Sequence, residues 1–197
     1  MTRLVLASRN VKKLVELRRV LEPLVPGLEV LGLDDVAPFD EPAETEPTFE
    51  GNALIKAHAC FAATGLASIA DDSGICVDAL NDMPGVLSAR WSGEGDEANN
   101  RLLLAQLADV PDERRGAAFV AAVALVWPGG EIVETARMPG HLLRAEQGEG
   151  GFGYDPLFAA DGNHVSNAEL TPEQKDAISH RGQALRALAP RIAAILS

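Results

Sequence analysis

The sequence predicts an α/β fold, and three observations carry that expectation. A short apolar run, Arg3–Ser8, gives way after a polar turn to a segment whose apolar residues recur at helical spacing, the opening order of a layered α/β domain. Further strand-like runs alternate with amphipathic stretches along the chain. Late in the sequence, Ala117–Trp127 and Glu131–Ala136, divided by Pro128-Gly129-Gly130, read as an antiparallel hairpin.

Composition narrows the function classes. A chain of 197 residues that is 47% hydrophobic can bury a sizeable core, as one domain or a compact two-lobed unit. No repeat, low-complexity block or clean linker divides it, so residues 1–197 are read as a single domain. Neither end carries a secretory pattern, and the longest apolar run, Ala117–Trp127, is shorter than the about 18 residues of a membrane helix. A soluble protein of the cytoplasm, with no membrane partner, is expected. Cys60 and Cys76 stand outside any ligand-spaced cluster and read as reduced core residues. The formal net charge of -12 argues against a nucleic-acid surface, which needs Lys and Arg against phosphates. An acidic protein that binds a small anion must concentrate its few cations in one place.

Taken in order, Arg3-Leu4-Val5-Leu6-Ala7-Ser8 has the nearly continuous apolar character of a strand buried on both faces. Val11, Leu14, Val15, Leu17 and Leu21 then mark a helix over 11–21, and Asn10 stands where an N-cap satisfies free backbone N–H groups. Lys12 and Lys13 fall in its first turn, against the helix dipole. Two solvated lysines are the ordinary outcome of such a pair; a phosphate clamp at the helix N-terminus is the functional one, with Lys13 favoured. Leu28–Leu33 reads as a second strand and Asp34–Pro47, rich in Pro and Glu, as an acidic loop. Thr48 and Phe49 supply the cap and staple of a long helix from Glu50 to about Thr64, with Ala53, Leu54, Ala57 and Phe61 on one face. Glu50 and Lys56 are six residues apart, so an i, i+4 ion pair does not explain them.

Ala67–Ala70 delivers Asp71-Asp72-Ser73-Gly74, and Ile75–Leu80 continues beyond. On a strand, adjacent carboxylates point to opposite faces, so one can face a pocket while the other supports it. A carboxylate fixed there holds a divalent cation or takes a proton from water; the same residue types also spell an ordinary turn. Met83-Pro84-Gly85 reads as a turn, Ser88–Gly93 sets Arg90 beside Trp91, and an acidic, Asn-containing stretch leads into a helix from about Glu97 to Leu107. Four glycines crowd residues 148–153, where a flexible loop is the bland outcome. Phe152 and the lone tyrosine, Tyr154, among those glycines suit stacking on a nucleobase instead. Thr171-Pro172 opens a helix, Lys175 follows, and an amphipathic helix runs to Leu196. His180 alone would be an ordinary surface or capping residue; beside Arg181 and downstream of Lys175 it reads as part of a binding wall.

Five ordered motifs then carry a resemblance that spans residue 4 to about 190: Leu6–Lys13, Thr48–Ala57, Ala70–Gly74, Gly151–Pro156 and Ser179–Gly182. Together they resemble the inosine/xanthosine triphosphate pyrophosphatase family. The resemblance implies a two-lobed α/β fold with a long central mixed sheet, flanking helices and an inter-lobe active-site cleft, in a homodimer. It implies Mg2+-dependent hydrolysis of purine nucleoside triphosphates outside the usual set, ITP, dITP and XTP, to the monophosphate and pyrophosphate. By position, Ser8, Arg9, Asn10, Val11, Lys12 and Lys13 would form the phosphate turn and Lys56 a second phosphate contact. Asp72 would be the general base and a metal ligand with Asp71, and Ser73 would touch substrate. Phe152, Gly153, Tyr154 and Asp155 would hold the base, with Lys175, His180 and Arg181 closing on the purine and its 6-oxo group. One departure is Gly51, where the family pattern places an acidic metal ligand. Either Glu50 reaches the metal from a shifted register, or another acid such as Glu44 substitutes, or metal binding is weakened and the chain is a nucleotide-binding module. A related hydrolase of other modified triphosphates is the third alternative. Arg137–His141 is also atypical for the family, although its glycine is retained.

Overall fold

Strand β1 (Thr2–Leu6), helix α1 (Val11–Leu21) and strand β2 (Leu28–Leu31) open the computed structural model, which describes residues 2–196. They are followed by α2 (Phe49–Thr64), β3 (Ser68–Val77), α3 (Asp96–Gln106), the β4–β5 hairpin (Gly116–Trp127 and Gly130–Leu142), β6 (Phe158–Ala160), α4 (Pro172–Ile178) and α5 (His180–Leu196). Among the described residues the strands form one six-stranded sheet in the order β2-β1-β3-β4-β5-β6. β1 is parallel to β2 and β3, whereas β5 and β6 are antiparallel, so the α/β fold has a mixed sheet. Among the described residues no helix is long and apolar enough to cross a membrane.

The chain divides into two units. The first holds residues up to Asp72, Ala121–Ala136 and the chain from Arg181 on. Its core is built from Leu4 and Leu6 of β1, Leu17, Val20 and Leu21 of α1, Ile69 of β3, Val123 and Leu125 of β4, and Leu185, Leu188 and Ile192 of α5. The second unit, Ser73–Val120 with Arg137–His180, packs Ile75 and Val77, Leu103 and Leu107, Phe119, Met138, Tyr154, Leu157 and Phe158 around its own centre.

Several elements match the sequence expectation and some depart from it for identifiable reasons. Helix α1 has the expected bounds and cap, but its buried face is Glu16, Leu17, Val20 and Leu21, while Val11 and Val15 are 68% and 51% exposed. β3 runs unbroken through Asp71-Asp72-Ser73-Gly74, which disposes of the turn. Gly74 is required inside that strand because a Cβ there would strike the Gly85 carbonyl and Ser88 Oγ. β5 continues past Ala136 to Leu142, through the atypical Arg137–His141 stretch, because Gly140 pairs with Ala160 where any side chain would collide with the Ala159 carbonyl. The C-terminal helical region breaks at Ser179, whose extended backbone separates α4 from α5.

The register of β1 on β3 positions the site. Leu6 lies beside Ile69, and Ala7 N donates to Ile69 O at 2.8 Å, so the turn leaving β1 emerges next to the pair of aspartates. The carboxyl ends of parallel strands are where open α/β sheets bind ligands.

Candidate active site

In the first unit the turn after β1 is pre-organised by its own side chains. Ser8 Oγ accepts from Asn10 N at 3.2 Å, and Asn10 Oδ1 accepts from the backbone N–H of Lys12 and Lys13 at 3.0 and 3.3 Å. The expected N-cap is therefore present. Lys12 points to the exposed side, whereas Lys13 turns inward and places Nζ 2.8 Å from Asp71 Oδ2. Arg9 lies at the surface and pairs with Glu41 of the acidic loop.

Strand alternation gives the two aspartates different company. Asp71 takes Lys13 and, at 3.0 Å, Arg181 Nε; Arg181 Nη1 continues to Glu16 Oε2 at 2.7 Å. The result is a chain of alternating charge, Lys13–Asp71–Arg181–Glu16, in which Asp71, Arg181 and Glu16 are buried and Lys13 is half-buried. Burial alone would raise the Asp71 carboxyl, but Arg181, Lys13 and Lys56 outweigh it and hold the group well below the usual carboxylate range. Burial lowers the Lys13 ammonium, and Arg181 and Lys56 add to that against the pull of Asp71.

Asp72 faces other partners. Asn52 Nδ2 donates to its Oδ2 at 3.1 Å, and Lys56 Nζ lies 3.5 Å from Oδ1 and 2.7 Å from Glu44 Oε1. Burial pushes Asp72 up, Lys56 opposes, and Glu44 pushes the same way as burial, leaving its proton affinity above that of an ordinary aspartate. Lys56 is held above the ordinary lysine value because Asp72, Asp71 and Glu44 outweigh burial. An aspartate whose proton affinity is raised, next to cations, has the chemistry of a general base for water.

The question posed by Gly51 has a packing answer. A Cβ there would lie 2.5 Å from Glu46 Cβ, because the acidic loop folds against the start of α2. Glu46 N donates to Asn52 Oδ1 at 2.9 Å, and Thr48 Oγ1 accepts from Gly51 N at 3.1 Å. That close approach sets Glu44 on Lys56. Glu50, two positions before Asn52, accepts instead from Thr135 Oγ1 at 3.0 Å. Among the described residues no group of three or more His, Cys, Asp or Glu side chains gathers as a metal cluster. Two carboxylates, Asp72 and Glu44, do converge on one ammonium, and hard oxygen donors of that kind suit Mg2+.

In the second unit the glycine-rich loop is folded around Asp155. Asp155 Oδ2 accepts from Phe152 N at 2.8 Å and from Lys175 Nζ, and the same Nζ sits 4.7 Å over the Phe152 ring. Gly151 is left-handed, and a Cβ on it would strike the Asp155 carboxylate. Tyr154 is part of the core, with its hydroxyl donating to Ser88 O at 2.9 Å. His180 is buried and stacks on Phe119 with ring centroids 5.0 Å apart and planes at 10°. Ser73, the first residue of this unit, is half-buried on β3.

The candidate residues thus gather in two sets. Lys13, Lys56, Asp71, Asp72 and Arg181 stand together in the first unit, and Phe152, Asp155 and Lys175 in the second. Arg181, expected at the purine, is engaged by Asp71 and Glu16, and Tyr154 presents a core ring. Glu16 lies in no motif, and Asn52, although inside Thr48–Ala57, had no role assigned to it. A charged residue on an apolar helix face and an Asn in the first turn of a helix were the available hints.

Comparison with known proteins places these residues in context. The Ham1 family matches residues 4–191. A protein of Nocardia farcinica named dITP/XTP pyrophosphatase is 63% identical over 199 residues, covering 99% of this chain and 97% of that protein. The crystal structure of a nucleoside-triphosphatase, or dITP/XTP pyrophosphatase, from Mycobacterium abscessus is similar with a TM-score of 0.78 and 59% identity, over 95% of this chain and 99% of that one. The structure of a HAM1 protein from Coxiella burnetii is similar with a TM-score of 0.89 at 35% identity, over 98% of this chain and all (100%) of that one.

Proposed function

This chain belongs to the Ham1 family, and from that premise we propose that it hydrolyses ITP, dITP and XTP to the nucleoside monophosphate and pyrophosphate. The observation that carries the proposal is Asp72: buried, proton-seeking, oriented by Asn52, and beside Lys56 and Glu44.

In this mechanism Asp72 accepts a proton from water. The water oxygen bonds to the α-phosphorus, the bond to the α,β-bridging oxygen breaks, and pyrophosphate leaves. Lys13 and Lys56 meet the charge that develops on the phosphates, as fixed cations in a dry site do. Arg181 and Glu16 hold Asp71, and Asp71 holds Lys13 in place. Asp72 and Glu44 are the proposed holders of Mg2+, which neutralises phosphate charge when bound. Glu44 replaces Glu50 in that role because Glu50 is turned to Thr135, and Asp71 is given to its two cations. The Phe152 ring, with Lys175 over it, is the proposed purine platform, and Lys175 and His180 are the proposed donors toward the 6-oxo group. A donor there disfavours adenine, whose amino group would leave it unpaired. A cytoplasmic homodimer follows from the family resemblance.

The alternative of a catalytically weakened binding module rested on Gly51. Glu44 at Lys56 supplies the acid that Gly51 lacks, which favours the enzyme. A panel of triphosphates assayed for pyrophosphate release with and without Mg2+ tests the proposal. ITP, dITP and XTP are expected to turn over well ahead of ATP and the pyrimidine triphosphates, and only with the metal. Equal kcat/KM for a pyrimidine, or tight ITP binding without pyrophosphate release, would overturn it.

A further inference from the structure

We propose that α3 is the positioning element of the purine site: Asp96 and Asn100 hold the Gly153 backbone at its N–H and at its carbonyl and thereby fix the loop that reads the base. This inference rests on the assignment of residues 148–155 to base recognition. Gly153 N donates to Asp96 Oδ2 at 2.9 Å, and Gly153 O accepts from Asn100 Nδ2 at 3.2 Å. Asp96 and Asn100 are i and i+4 on α3, so they share a face, one turn apart.

The conformation of Gly153 explains why a grip is needed. Its φ is +60°, and an added Cβ would meet nothing within 4 Å, so glycine is present for its left-handed backbone rather than for space. A glycine in that region carries no side-chain contact to hold it. The two bonds from α3 supply that restraint.

Asn100 is 4% exposed, and its Oδ1 has no hydrogen-bond partner among the described residues. Asn is a poor helix former, and burying a half-paired amide is unfavourable. Among the described residues its one side-chain bond is to the loop, which accounts for its presence. Adjacent Asn99 has a different task. It accepts from Ser92 N and Oγ, both at 2.7 Å, and donates to Ser88 O at 3.3 Å. Ser88 O is also where the Tyr154 hydroxyl is anchored. Helix α3 therefore holds two consecutive loop residues, Gly153 directly and Tyr154 through the 88–92 segment. Rotation at Gly153 would swing Phe152, the ring beneath Lys175, whereas Lys13, Lys56 and Asp72 belong to the other unit.

Asn100→Ala and Asp96→Ala test this with two ligands, ITP and inorganic pyrophosphate, which has no base. Loss of one positioning hydrogen bond is expected to raise the KM for ITP about fivefold to tenfold in each variant, with kcat within about twofold. The inhibition constant of pyrophosphate should not move, and the preference for ITP over ATP should fall. Asp96 is exposed in the first turn of α3, so Asp96→Ala keeps the test available even where Asn100→Ala impairs folding. An ITP KM within about twofold of wild type in the folded variants would overturn the inference, since that is below the cost of one lost bond. So would a pyrophosphate constant that rises in step with KM, because a general structural defect would then be the cause. Failure of the wild type to release pyrophosphate from ITP would overturn the parent assignment instead.

Discussion

Replacing Arg181 by Met tests the buried charge chain where it is most exposed to contradiction. The guanidinium is nearly inaccessible, and it donates to Asp71 at 3.0 Å and to Glu16 at 2.7 Å. Met keeps much of the side-chain volume but leaves Glu16 without its cation and Asp71 with Lys13. Removing one member of a buried charge pair costs about 3–5 kcal/mol, because the partner stays buried and uncompensated. At about 2–4 °C per kcal/mol for a chain of this size, the melting temperature should fall by about 6–20 °C at pH 7. The loss should also depend on pH. Asp71 is held below the usual carboxylate range in the folded protein, so its contribution is present above about pH 4 and is lost as pH falls through the folded value. The gap between wild type and Arg181→Met should therefore narrow below about pH 4. Thermal unfolding followed by tryptophan fluorescence, across pH 3 to 8 with EDTA present, measures both effects. A loss under about 1 kcal/mol, the level of an exposed pair, would refute the buried chain.

Two further outcomes follow from the same geometry. Gly51→Glu supplies the acid that the family pattern places there, yet the structure predicts harm. The new Cβ collides with Glu46 and shifts Glu44, so stability should fall by about 1–3 kcal/mol and the Mg2+ requirement should rise; a gain in metal affinity would contradict this. Asp72→Asn should melt higher than wild type at pH 7 in EDTA. Asp72 is raised chiefly by burial, so folding favours its neutral form: stability is full below about pH 4 and lost as pH rises through the folded value. The Asn variant escapes that loss, and a lower melting temperature at pH 7 would count against a raised Asp72.

Much of this was legible in the sequence, and the residues that were not share a physical cause. The bounds of α1 and α2 followed from apolar spacing and from caps at Asn10 and Thr48, which are local chemistry. Lys13 could be singled out because a cation in a first turn opposes the helix dipole. Glu16 and Asn52 could not, since a polar side chain takes its role from tertiary partners far along the chain, here Arg181 and Asp72, and Glu44 could be named as a substitute acid but not as the partner of Lys56. The passage of β3 through Asp-Asp-Ser-Gly was ambiguous because those residue types favour turns, and only the close approach of Gly85 and Ser88 fixes Gly74 as a strand residue. Tyr154 looked like a base-stacking ring by its glycine neighbours, but its hydroxyl finds Ser88 and its ring finds the core.

The most direct test of Asp72 as the base is product formation from ITP at saturating Mg2+ by wild type and Asp72→Asn, with both shown to be folded. Wild type should yield IMP and pyrophosphate in equal amounts, and the variant should be slower by about 10²–10⁴-fold, the usual contribution of a positioned general base. Turnover by the variant within about threefold of wild type, below the range of any general base, or IDP and phosphate as the wild-type products, would contradict the mechanism.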